Sequence, residues 1–357
     1  MTAIALGIPR VGVAGAPVPP DLSGRGDSPY LIDRHGRRGR DLRVSLTDRC
    51  NLRCTYCMPA EGLDWQPADE LLSDDELVRV ITVAVDRLGI QEIRFTGGEP
   101  LLRKGLPGII ARVGALRPKP EVSLTTNGIG FARRADEFVD AGLDRINISL
   151  DSLDPDTFER ITRRRRLRDV LAALDAAAAV GLTPVKINAV LLRGVNDHEA
   201  PDLLQFALDH GYQLRFIEQM PLDAGHVWSR DRMVTADEIQ ERLAARFDLS
   251  PDPGARLGAP AELFRVNGGP ATVGIIASVT RPFCGDCDRT RLTADGQIRT
   301  CLFSRAETDL RAILRGGGTD EQIAQLWRAT TWGKLPGHGI DDPSFLQPDR
   351  PMSAIGG

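Results

Sequence analysis

The chain has 357 residues, a formal net charge of −4, 42% hydrophobic and only 5% aromatic residues. That length suits a barrel with an appended piece, and the charge balance offers no global basic field of the kind that gathers nucleic acid. No uninterrupted apolar run approaches the ~20 residues of a membrane span, and an opening segment with Pro9, Pro17, Pro19 and Pro20 and no basic start is no signal peptide, so a cytoplasmic location is expected.

Residues 1–40 are rich in Gly, Pro and Arg and read as a flexible leader. A βα rhythm follows. Strand-like runs fall at Leu42–Leu46, Glu92–Thr96, Val122–Thr125, Arg145–Leu150, Val185–Leu192 and Gln213–Ile217. Helical patterns lie between them, at Asp75–Leu88, Leu106–Leu116, Ala132–Ala141, Leu167–Val180 and Glu199–His210. The first helix opens on Ser73-Asp-Asp-Glu76, a capping box. Six such units imply a parallel sheet with helices on its outer face; the pattern leaves an open sheet and a curved partial barrel as alternatives. After about residue 221 the rhythm breaks. A helix at Ala236–Phe247, strands at Leu263–Val266 and Val273–Ala277, a hairpin over Arg291–Leu302 turning at Asp295-Gly296, and helices at Asp309–Leu314 and Asp320–Thr330 make an α+β extension. The expected divisions are 1–40, 41–230, 231–340 and a tail, 341–357.

Six cysteines fall into two sets of three. Cys50, Cys54 and Cys57 are spaced Cys-x3-Cys-x2-Cys on a loop after the first strand; Cys284, Cys287 and Cys301 are spaced Cys-x2-Cys-x13-Cys around the hairpin. Three thiolates on a four-iron cubane leave one iron open to a substrate or cofactor, whereas a structural zinc closes its fourth position. Zinc or a structural cluster is the alternative for each set, and is stronger for the second because Cys-x2-Cys is a common zinc knuckle. No histidine lies between Cys284 and Cys301; the nearest is His338. The pairing of two sets, with no cysteine left over for a disulfide, favours iron–sulfur in a reducing compartment.

The strand ends are polar. Glu92–Thr96 runs into Gly97-Gly98-Glu99-Pro100, Val122–Thr125 into Thr126-Asn127-Gly128, and Arg145–Leu150 carries Asn147, Ser149 and Asp151. In parallel βα architectures such ends gather at one face and carry the chemistry. Turn propensity explains any one of them, but not the set. The two glycines suit a close approach of backbone to a ligand. Of the 45 basic residues only four are lysines, and Lys186 alone lies inside a predicted strand. A cation in an apolar strand needs an anionic partner; the alternatives are an outward, solvated position or structural ion pair and a phosphate ligand that, with Arg43, Arg94, Arg289 and Arg291, would neutralise a polyanion such as a triphosphate. The run Arg163–Arg166 reads as a solvated helix entry, and the five histidines form no triad or metal spacing.

The first cysteine loop resembles the radical S-adenosylmethionine (SAM) superfamily. Several further segments together narrow the resemblance to the GTP 3′,8-cyclase family. They are Leu42–Asp48, Arg94–Pro100, Asn147–Asp154, Val185–Asn188, Leu214–Met220, Cys284-x2-Cys287-Asp288-Arg289-Thr290-Arg291 and the terminal Gly356-Gly357. The resemblance implies a partial TIM-type barrel of about six βα units whose C-terminal extension carries a second cluster. It implies two 4Fe-4S clusters, one on each cysteine set. SAM would lie against Tyr56, Gly98, Ser149 and Met220, and GTP against Arg43, Arg94, Thr125, Lys186, Arg289, Thr290 and Arg291. Lys186, Arg289 and Arg291 would form the catalytic set, and the terminal glycines would enter the site. The implied reaction is abstraction of the GTP 3′ hydrogen by a 5′-deoxyadenosyl radical and closure to (8S)-3′,8-cyclo-7,8-dihydroguanosine 5′-triphosphate, the first step of molybdenum cofactor biosynthesis. Implied partners are an electron donor of flavodoxin or ferredoxin type, a downstream cyclic pyranopterin monophosphate synthase and a second copy in a homodimer, with no nucleic acid and no membrane. Two rivals stand beside it: a peptide-modifying radical SAM enzyme, which normally carries more C-terminal cysteines, and a non-catalytic metal-binding or nucleic-acid-binding module, which the low aromatic content opposes.

Overall fold

The structure is a computed structural model that describes residues 22–254, 256 and 258–356. Six strands carry the βα rhythm: β1 (Asp41–Ser45), β2 (Glu92–Thr96), β3 (Glu121–Thr126), β4 (Arg145–Ser149), β5 (Lys186–Val190) and β6 (Gln213–Ile217). Each lies parallel to the next, as helical crossovers require. The later part adds β7 (Leu249–Pro251), β8 (Glu262–Val266), β9 (Thr272–Ile276), β10 (Arg289–Leu292), β11 (Gln297–Arg299) and β12 (Thr308–Asp309). These do not make a sheet of their own. β9 adds parallel to β6 and β10 adds parallel to β1, giving one 12-stranded sheet in the order β12-β11-β10-β1-β2-β3-β4-β5-β6-β9-β8-β7. The extension expected as a separate piece thus supplies a strand to each flank of the parallel run.

Strand alternation sorts the side chains. Leu42, Val44, Ile93, Phe95, Val122, Leu124, Ile146, Ile148, Ile187, Leu214 and Phe216 are fully buried in the main core, each contributing roughly 1.5–3 kcal/mol. The alternate positions of the same strands are polar. The helix Asp74–Leu88 starts as expected, with Ser73 and Glu76 closing a reciprocal capping box, worth about 1 kcal/mol. A helix at Pro155–Thr162 was not legible because Asp151–Pro155 reads as turn chemistry. Asp154 caps it, and Pro155 at its first position costs no hydrogen bond.

Part of the expected leader is built into the protein. Leu31 is fully buried, Asp33 and Arg37 are buried, and Gly39 N–H donates to the Leu31 carbonyl at 2.7 Å. Residues 1–21 lie outside the described residues. Among the described residues, no helix is long and apolar enough to cross a membrane.

Candidate active site

The carboxyl ends of β1 to β6 converge on a cavity of about 220 Å³. The first cysteine loop follows β1 and lines the cavity. Two carbonyls at the end of helix Pro155–Thr162 seat that loop: Thr162 accepts from Arg53 N–H at 3.0 Å and Ile161 from Thr55 N–H at 2.9 Å. Arg163, in the left-handed region at φ 57°, turns its guanidinium back onto the Arg53 and Met58 carbonyls at 2.9 and 3.0 Å. It therefore braces the cysteine loop, where the sequence suggested only a solvated helix entry.

Cys50, Cys54 and Cys57 all line the cavity, half-buried and unbridged. Burial raises all three thiols, Cys50 to about 11 and Cys57 to about 12, and in Cys54 the charges of Asp151, Cys57 and Cys50 add to it. Thiolates gathered here would be costly without a cation. An iron–sulfur cluster supplies that positive charge and holds such thiols deprotonated. The donor set fits a cubane with three protein ligands.

Gly97 and Gly98 have a different physical reason from the one expected. A Cβ on Gly98 would collide with the Asp48 and Arg49 carbonyls, and one on Gly97, at φ 146°, with the Thr47 carbonyl. Their smallness lets the β2 loop lie against the start of the cysteine loop, where Gly98 N–H reaches the Thr47 carbonyl and Glu99 N–H the Arg49 carbonyl, both at 2.7 Å. Both glycines still line the cavity. Glu99 is buried and pushed up to about 7 by that burial, against hydrogen bonds from Thr126 Oγ1 and the amides of Asn127 and Leu101. Tyr56 donates from its hydroxyl to Asp151 Oδ2 at 2.7 Å, and Asp151 Oδ1 accepts Val190 N–H at 2.8 Å. Burial raises Asp151 to about 6.

Beside this cavity runs a row of cations. In register across the sheet stand Arg291 of β10, Arg43 of β1, Arg94 of β2, Ser123 of β3 and Arg145 of β4, on one face by strand parity. Lys186 of β5 and Arg215 of β6 extend the group. Their charges oppose one another. Burial and then Arg43 push Arg94 down to about 9; burial, Arg43 and Arg289 do the same to Arg291; burial and Arg145 bring Arg215 to about 10. Lys186 falls to about 7, through burial and then Arg215, Arg145 and Arg94. Asp41 offsets part of this, pairing with Arg43 at 3.3 Å. The Nε atoms of Arg43, Arg94 and Arg289 are buried and donate to no group among the described residues. Such a cluster is suited to a polyanion.

The second cysteine set borders a neighbouring hollow of about 60 Å³, which Cys284, Cys287 and Cys301 share with Arg289, Arg291 and Met220. Burial would raise Cys287, but the Arg289 guanidinium and Lys334 ammonium outweigh it and hold the thiol at about 6. Lys334 Nζ donates to Cys287 Sγ at 3.4 Å and to its carbonyl at 3.0 Å. Met220 lines both cavities. Its loop is fixed by buried Glu218, which accepts from the amides of Ala236, Val279 and Thr280 at 2.8, 2.8 and 2.9 Å. The C-terminal tail then threads between the two sets. Arg350 forms a double hydrogen bond with Asp295 at 2.9 and 2.6 Å, Met352 N–H reaches the Leu222 carbonyl at 2.9 Å, the Ser353 backbone hydrogen-bonds Cys57, and the Gly356 carbonyl accepts from Arg291. Gly356 therefore lies against Arg291; Gly357 lies outside the described residues.

Comparison with known proteins gives this geometry a family. Residues 44–207 match the Radical SAM superfamily and residues 212–340 match Molybdenum Cofactor Synthesis C. A Streptomyces coelicolor GTP 3′,8-cyclase is 64% identical over 92% of this chain and 96% of its own length. The chain belongs to the GTP 3′,8-cyclase family. A Mycobacterium sp. (strain KMS) GTP 3′,8-cyclase is 59% identical over the whole of both chains, and the Mycobacterium tuberculosis (strain H37Rv) GTP 3′,8-cyclase 2 is 57% identical over the same span. Among solved structures, Streptococcus suis SuiB bound to S-adenosylmethionine superposes with a TM-score of 0.56 at 14% identity, over 87% of this chain and 69% of that one. That likeness carries the fold.

Within this GTP 3′,8-cyclase-family fold, Tyr56, Gly98, Thr125, Ser149 and Met220 line the first cavity with the first cysteine set. Arg289 and Arg291 line the second hollow. Thr290 stands apart: alternation turns it to the other face, where its Oγ1 accepts from the Trp327 indole at 3.0 Å. Three residues were missed. Arg145 and Arg215 carry the same strand-arginine signal as Arg43 and Arg94, and Lys334 acts on a partner 47 residues away. Asp151 was marked as a polar strand end, but not its pairing with Tyr56, 95 residues away.

Proposed function

We propose that this chain converts GTP to (8S)-3′,8-cyclo-7,8-dihydroguanosine 5′-triphosphate with SAM as cosubstrate. The observation that carries the reading is the buried row of mutually opposed cations between two three-cysteine sets. Cys50, Cys54 and Cys57 would hold one 4Fe-4S cluster, and Cys284, Cys287 and Cys301 a second. Bound there, the first cluster would supply the reductive cleavage of SAM that the abstraction of the GTP 3′ hydrogen calls for.

Everything else falls to the chain's own groups. Arg43, Arg94, Arg145, Lys186 and Arg215 bind the triphosphate through charge-assisted hydrogen bonds. Arg289 and Arg291 hold the substrate on the side of the second set, with Arg291 also carrying the tail through Gly356. Tyr56, fixed by Asp151, and Met220 wall the SAM side. Orientation of the ribose against the radical is the protein's main contribution to rate. The reductant of flavodoxin or ferredoxin type, the downstream cyclic pyranopterin monophosphate synthase and the homodimer rest on family resemblance alone.

The test uses anaerobically reconstituted protein with SAM, a reductant and GTP deuterated at C3′. Deuterium in the 5′-deoxyadenosine is the expected result. Unlabelled 5′-deoxyadenosine would assign the radical another target, and zinc in place of iron with no 5′-deoxyadenosine would overturn the enzyme reading.

A further inference from the structure

We propose that Arg37, held by Asp33, is a positioning residue for the second cysteine loop, fixing Cys284 for cluster binding from a segment outside both matched family regions. The consequence for the cluster rests on the reading above; the mechanical part does not.

The loop has little support of its own. Cys284–Asp286 is one short turn, and its internal bonds are long, Cys287 N–H to the Cys284 carbonyl at 3.3 Å and Asp286 N–H to the Phe283 carbonyl at 3.4 Å. Gly285 is exposed. Arg37 supplies what the turn lacks. One terminal nitrogen donates to the Cys284 carbonyl at 2.7 Å and the Pro336 carbonyl at 3.0 Å, the other to the Leu335 carbonyl at 2.6 Å. The guanidinium thereby ties the loop to the strap that carries Lys334, the residue gripping Cys287.

Arg37 is itself preorganised. Its Nε donates to Asp33 Oδ2 at 2.6 Å, while Asp33 Oδ1 accepts the His35 and Arg37 amides at 2.8 and 3.0 Å around Gly36 at φ 79°. Both side chains are buried, Arg37 at 9% exposure and Asp33 at 2%. Three carbonyls and a carboxylate in different directions match a planar fork with five donors, whereas a lysine ammonium offers three donors at one point. All of Arg37's partners in the loop are backbone atoms, so it acts through Cys284 and not on substrate. Arg163 makes the equivalent pair of backbone contacts to the first cysteine loop.

The experiment compares anaerobically purified full-length wild type, R37A and R37K by hydrogen exchange, then by iron content and electron paramagnetic resonance after reconstitution. In R37A, exchange over 283–288 and 334–337 should rise at least tenfold while β3 stays protected. Iron should fall from roughly eight to roughly four per chain, with the signal of the first cluster kept. R37K should fall between the two. Unchanged exchange in R37A would overturn the proposal, as would acceleration spread equally over β3. A wild type that takes up only four irons would sink the second-cluster reading, while the exchange comparison would still decide the role of Arg37.

Discussion

Lys186 is where pH should write itself most clearly on substrate binding. Burial and then Arg215, Arg145 and Arg94 push its ammonium from 10.5 down to about 7. In the free chain the folded state therefore holds fewer protons than the unfolded state between pH 7 and 10.5. Stability rises with pH across that window and is lost as pH falls through 7, where folded Lys186 must charge beside its neighbours. A bound triphosphate reverses the balance, since it favours the charged form. Above pH 7 binding then takes up one proton, and the dissociation constant of GTP should rise about tenfold per pH unit, up to ~100-fold between pH 7 and 9. K186M keeps the length and removes the charge. It should bind GTP ~10–100-fold more weakly at pH 7, the loss of one charge-assisted hydrogen bond, with a flat profile from pH 7 to 8. Calorimetry in buffers of contrasting ionisation enthalpy reads the proton directly, near one per GTP at pH 8 for wild type and near zero for K186M, below the range in which Arg94 and Arg291 would add to it. Wild-type affinity that is flat from pH 7 to 8, or a slope surviving in K186M over that range, would refute the reasoning.

Arg94 should show opposite signs for binding and stability: R94A relieves a buried cation pushed down to about 9, so the free chain should melt no lower while GTP binding weakens ~10–100-fold. A clear fall in melting temperature would contradict the like-charge argument. Y56F removes the donor 2.7 Å from Asp151 Oδ2 and should cost about 1–3 kcal/mol in chemical denaturation, with weaker SAM binding by equilibrium dialysis. G98A forces a methyl into the Asp48 and Arg49 carbonyls, so the first loop should fail to seat; iron per chain should drop by about half, with the second cluster's resonance signal retained.

The βα half of the fold was legible because its signals are local. Glu92–Thr96 and Gln213–Ile217 came out at the expected bounds, and the capping box at Ser73 and Glu76 marked a helix start within a residue. The six cysteines were legible because spacing alone carries ligand chemistry. What escaped depends on pairing across the chain. Nothing local says that Thr272–Ile276 lies beside β6, or that Arg289–Leu292 lies beside β1. The same limit hid the pairing of Asp151 with Tyr56 and the buried Asp33 and Arg37 within a segment whose composition reads as a tail. Thr290 was swept in with its neighbours because a motif is contiguous and a strand face is not. Gly97 and Gly98 were legible as close approaches, but the neighbour they approach is protein backbone.

The placement of β9 and β10 on opposite flanks of the parallel run sets the order in which a newly made chain is completed. β1 ends at Ser45 and waits for β10, which ends at Leu292; β6 ends at Ile217 and waits for β9, which ends at Ile276. The first wait is 247 residues (292 − 45), roughly 12–50 s at ~5–20 residues per second on the ribosome. Throughout it the nascent sheet presents a bare edge that another strand can pair with. A ribosome stalled between Ile217 and Thr272 would hold all three cysteines of the first loop on a chain with both flanks open, and the second flank closes only once Leu292 has been made.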